Sequence, residues 1–90
     1  LYTYIKKKLR YPAKSKRLGV EGRVYIQVIV EKDGVLSKIV AYNSPSEECG
    51  KEAIRVVKST SPWQHPGRVG GVAVRTRIII VVTFELKNKR

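Results

Sequence analysis

Between Val72 and Leu86 apolar residues fall on alternate positions: Val72, Val74, Ile78, Ile80, Val82, Phe84 and Leu86 share one parity, with Thr76 the exception. Arg75, Arg77, Thr83 and Glu85 share the other. Side chains of a strand alternate between faces, so this stretch predicts one long strand with one buried face. A second alternating run, Val20 to Glu31, puts Val20, Val24, Ile26, Val28 and Val30 on one face. Glu21, Arg23, Gln27 and Glu31 lie on the other, interrupted by Tyr25 and Ile29. Lys32-Asp33-Gly34 follows as a hairpin signal, and Val35 to Asn43 as the returning strand.

Three helices complete the reading. Leu1, Ile5 and Leu9 recur at helical spacing, and Lys6, Lys7, Lys8 and Arg10 cover the rest of that helix. Tyr11-Pro12 ends it, because the residue before proline avoids the α region. Pro12 then opens a short helix to about Leu18, closed by Gly19. In the third helix Ser44 is the expected cap, Pro45 sits in the first turn and Glu47 stands at the capping-box position. Cys49, Ala53, Val56, Val57 and Thr60 form its apolar stripe, and Gly50 allows close packing on the sheet. Ser61 to Gly71 reads as a loop, and the basic tail from Lys87 to Arg90 as frayed.

The fold class expected is therefore α+β: a small antiparallel sheet of three strands in the order two, one, three, with helices on one face. The second and third strands are left as open edges. Ninety residues make one domain, 1–90. The start at Leu1 and the lack of any Met point to a fragment of a longer, membrane-anchored protein. The longest apolar run, Ile78 to Val82, is far below the ~20 residues that span a bilayer.

Composition narrows the functional classes. Nineteen Lys and Arg against seven Asp and Glu give a net charge of +12, which suits nucleic acid, anionic lipid or an acidic cell-wall glycan, or simply solubility. The aromatic residues are not interleaved with basic ones as in an RNA-binding sheet motif, so no nucleic-acid partner is expected. Cys49, on the helix's apolar face, reads as a core residue. A nucleophilic thiol would need a nearby base, and the sole histidine, His65, lies in a distant loop. One Cys and one His also make a poor metal set, so no catalytic residue, metal or cofactor is expected. Glu47, Glu48 and Glu52 read as helix start and solvated face, and Trp63 as a cover for the end of the core. Gly67, Gly70 and Gly71 lack a phosphate-loop pattern and read as loop flexibility.

Tyr11-Pro12, Gly19-Val20-Glu21-Gly22-Arg23-Val24 and Asp33-Gly34, then Ala53, Trp63, Pro66-Gly67, Gly71, Val74-Arg75 and Thr83-Phe84-Glu85-Leu86, form an ordered set. From about Tyr4 to Leu86 this set resembles the TonB C-terminal domain family. The resemblance implies a non-enzymatic periplasmic domain of a transducer anchored in the inner membrane of a Gram-negative bacterium. Such a domain captures the TonB box of outer-membrane receptors as an added strand and passes on energy derived from the proton gradient. ExbB and ExbD would engage parts outside this sequence. The basic cluster from Lys6 to Arg17 could meet a receptor's periplasmic rim or peptidoglycan, or be a solvated face.

Many relatives in that family carry proline where this chain has Ala73 and Val81. Proline is tolerated in a strand only where no donor is needed. Ala73, Arg75, Arg77, Ile79, Val81 and Thr83 are therefore expected to face the free edge and form the partner-binding site, with the even positions bonded to the first strand. Without the prolines the edge is less protected, so edge-to-edge or strand-swapped homodimers are expected. Two other readings stay open: an accessory or sensor domain of another membrane protein, and a basic nucleic-acid-binding domain.

Overall fold

In a computed structural model, residues 1–64 and 67–86 are described. His65, Pro66 and the basic tail 87–90, singled out in the sequence, lie outside them. The elements run α1 (Tyr2–Lys8), α2 (Ala13–Arg17), β1 (Gly22–Val30), β2 (Leu36–Tyr42), α3 (Glu47–Lys58), β3 (Arg68–Val69), β4 (Val72–Ala73) and β5 (Thr76–Phe84).

The main sheet has three strands in the order β2-β1-β5, both pairs antiparallel. The last strand thus lies beside the first, as a hairpin followed by a helical crossover predicts. Val24, Ile26 and Val28 on β1 and Ile80, Val82 and Phe84 on β5 are almost fully buried. They meet Cys49, Ala53, Val56 and Val57 of α3 in one core. Cys49 is a buried free thiol.

The β1–β2 pairing contains a bulge. Gln27 faces Val40 but Ile29 faces Ser37, so β2 carries an extra residue there. Lys38 takes a left-handed φ of 48° at this point. The bulge reverses the parity of β2, which lets Leu36 on one side of it and Ile39 and Ala41 on the other all contact the core.

The stretch read as one strand from Val72 is broken. Val72–Ala73 pairs instead with Arg68–Val69 in a hairpin closed by Gly70 and Gly71, at φ 56° and 81°. A tight two-residue turn with positive φ at both central positions is the arrangement these glycines permit. They are turn formers, not merely slack before a strand. Val74 and Arg75 belong to no strand; the Val74 amide donates to the Gly67 carbonyl at 2.9 Å.

The cap of α3 also differs. Ser46, not Ser44, is the N-cap: its Oγ accepts from the Cys49 amide at 3.1 Å and contacts the buried Ser15 Oγ at 2.9 Å. The cap therefore lies one residue beyond Pro45, α3 starts at Glu47, and the cap ties the helix to α2. Trp63 packs on the core as expected, with Nε1 donating to Thr60 Oγ1 at 2.8 Å.

Candidate partner-binding edge

The β1–β5 register runs without a shift from Gly22↔Phe84 to Val30↔Thr76. In an antiparallel ladder a residue's N–H and C=O point to the same neighbour, and successive residues alternate. One contact fixes the phase. The Val81 amide donates to Tyr2 Oη at 3.3 Å, away from β1. It follows that the odd positions of β5 turn their main chain outward and the even ones bond to β1. No strand among the described residues lies on the other flank of β5.

The six expected site residues separate accordingly. Arg77, Ile79, Val81 and Thr83 stand together on β5, opposite Ile29, Gln27, Tyr25 and Arg23 of β1. Ile79 is 61% exposed. Ala73 and Arg75 do not join them. Ala73 is opposite Arg68 in the small hairpin. Arg75 lies in the break, with Nε donating to Glu31 Oε1 at 2.9 Å. The reason is the break at Val74 and Arg75, which ends the ribbon's outward row at Arg77.

Glu31 holds that junction. It accepts from the Ser37 hydroxyl and from Arg75, and these bonds lower its pKa, the Ser37 bond most strongly, against a smaller opposing effect of desolvation.

Helix α1 stands beside the C-terminal half of this edge. Its Ile5 is buried in the core, and three bonds tether the helix and its end to α3. Tyr4 Oη meets Ser59 Oγ at 3.2 Å, Arg55 donates to the Lys8 carbonyl at 3.2 Å, and the Arg10 amide donates to Glu52 Oε2 at 2.7 Å. Burial would raise the Glu52 pKa, but the bonds from Arg55 and from the Arg10 amide outweigh it and leave the value lowered. Glu52 is thus a tether as well as part of a helix face.

A groove of about 480 Å³ lies between α1 and β5. Ile5, Leu9 and Tyr11 give it apolar walls, Val81 to Thr83 line it from the strand, and Tyr2, Lys6 and Glu85 supply polar groups. Tyr11 supports one end: its ring packs edge-on against Phe84 at 5.4 Å, and its hydroxyl donates to the Val20 carbonyl. The sequence reading missed Tyr2 and Leu9 as neighbours of the edge. Their only signal is that Tyr2, Lys6 and Leu9 share a helical face, which does not say what that face meets.

The family model for the C-terminal region of the Gram-negative bacterial TonB protein matches residues 7–86. Two solution structures of the Helicobacter pylori TonB C-terminal domain have the same fold. The one spanning its residues 179–285 superposes with a TM-score of 0.77 at 22% identity, covering 98% of this chain and 78% of that one. The one spanning residues 194–285 gives a TM-score of 0.73 at 23% identity, with 97% and 90% covered. Comparison with curated proteins gave no significant match.

Proposed function

Because this chain belongs to the family of Gram-negative bacterial TonB C-terminal domains, we propose that it is the receptor-engaging domain of an energy transducer. It takes the TonB box of an outer-membrane transporter as a further strand on β5 and passes on pull from the inner membrane. The work is done in the periplasm, with ExbB and ExbD acting on other parts of the transducer.

The observation that carries this reading is the outward main chain of β5. Arg77, Ile79, Val81 and Thr83 offer donors and acceptors on an outer strand, and an extended peptide satisfies such groups whatever its side chains. Each backbone bond contributes roughly 0.5–1.5 kcal/mol net, so a short ladder gives moderate, reversible affinity. Bonds loaded in parallel resist a pull together. The basic surface, at +12 overall, favours an acidic partner rim and speeds encounter.

The test is titration of the domain with a TonB-box peptide while amide shifts are recorded. The reading requires the largest changes on β5. Changes centred on α2 and the Lys14–Arg17 surface, with β5 untouched, overturn it.

A further inference from the structure

The first twenty residues contain seven Lys and Arg and no Asp or Glu, and all seven are exposed. Helices α1 and α2 display them because each is anchored by one buried residue, Ile5 and Ser15. Successive helical residues lie about 100° apart, so Lys7 and Arg17, two positions beyond those anchors, point away from the core. Arg10 sits beside Glu52, which its amide meets at 2.7 Å. Lys6, Lys7, Lys8, Lys14, Lys16 and Arg17 enter none of the ion pairs among the described residues. Of the acids on α3, Glu47 pairs with Lys51 and Glu52 with Arg55, which leaves Glu48 to offset this surplus.

Next to this charge stands Leu18, 65% exposed, between Arg17 and the left-handed Gly19 that closes α2 at φ 71°. An acidic polymer in water gives a leucine no apolar partner. A lipid interface does: its phosphates meet the cations and the boundary of its acyl chains takes the leucine.

We propose that the α1–α2 surface docks the domain on an anionic lipid bilayer, with Leu18 entering the headgroup layer and the neighbouring Lys and Arg meeting lipid phosphates. Charge complementarity supplies the attraction, and Leu18 selects a lipid surface over other polyanions. The contact is peripheral. Helix α1 buries Ile5 in the protein core, and no helix among the described residues is long and apolar enough to cross a membrane. Attraction of this kind fades with salt, because exposed charges are screened beyond about 8–10 Å at moderate ionic strength. The inference does not depend on strand addition at β5.

The test is sedimentation of the domain with phosphatidylcholine vesicles, with and without phosphatidylglycerol. Binding should require phosphatidylglycerol and weaken with added salt. Lys16→Ala combined with Arg17→Ala should weaken it roughly twentyfold, since each cation near such a surface contributes about fivefold. Leu18→Ser should weaken it about fivefold. All three residues are exposed, so the fold survives these changes. In Leu18→Trp, indole emission should shift to the blue with anionic vesicles, relative to the parent chain with Trp63 alone, and should not shift with soluble polyglutamate. No sedimentation with anionic vesicles, or equal sedimentation with both lipids, would overturn the proposal. Binding that Leu18→Ser leaves intact would overturn it too, and would assign the surface to acidic polymers of any kind.

Discussion

A side chain on Gly34 would occupy the place of the Trp63 carbonyl: a Cβ there would lie 1.9 Å from that oxygen. The Trp63 amide in turn donates to the Gly34 carbonyl at 2.7 Å. The β1–β2 turn and the segment after α3 are thus in backbone contact, and Gly34 also holds a φ of 87°.

Gly34→Ala should therefore destabilise the domain by about 2–4 kcal/mol, from strain at positive φ plus the displaced Trp63 backbone. Urea unfolding measures it. A loss below about 0.5 kcal/mol would mean that the contact yields freely.

Ser46 and Ser15 form a second coupled pair. Ser46→Ala removes the α3 cap and leaves the buried Ser15 hydroxyl without this partner, at a combined cost of roughly 1–3 kcal/mol. Because burying an unpaired hydroxyl is part of that cost, adding Ser15→Ala should return some stability. A double-mutant cycle from chemical denaturation tests it, and strictly additive losses would refute the coupling.

Acid should loosen α1 before it unfolds the core. Glu52 and Glu31 both have lowered pKa values in the folded chain. A lowered carboxylate contributes stability above its unfolded value, about 4.3, and loses it as pH falls through the folded value. The bond that the Arg10 amide donates to Glu52 weakens over that window. Tyr2 and Ile5 signals in NMR spectra should broaden or shift below about pH 4, ahead of those of Ile26 and Ile80. In Glu52→Gln this early step should be absent.

Self-association should follow from the open edge of β5. Light scattering at rising concentration is expected to show pairing, and Ile79→Lys should suppress it, since a charge on an edge strand opposes pairing. A strict monomer at millimolar concentration would contradict an unprotected edge. Ala73 is paired within the β3–β4 hairpin and stands apart from the β5 edge.

These elements differ in how far the sequence reveals them. β1 and the body of β5 were legible because burial on one face writes a period of two into the residues. Thr76, which breaks that period, marks where the last strand actually begins. The bulge at Lys38 was not legible: a parity reversal in a short strand resembles loose alternation until the partner register is known. Ser44 and Ser46 are equally good caps by type, and only the meeting of Ser46 with Ser15, far away in sequence, separates them. The same holds for the site. The outward parity of Arg77 to Thr83 could be inferred along one strand, whereas Tyr2 reaches Val81 from the opposite end of the chain. Local pattern carries no information about such a contact.

Amide hydrogen exchange of β5, with and without a TonB-box peptide, tests the central claim most directly. In the free domain Ile80 and Val82 should exchange slowly and Ile79 and Thr83 quickly, with Val81 slowed only by Tyr2. On binding, Ile79, Val81 and Thr83 should become protected while Ile80 and Val82 change little. Fast exchange at Ile79 and Thr83 that persists at saturating peptide would contradict strand addition at this edge.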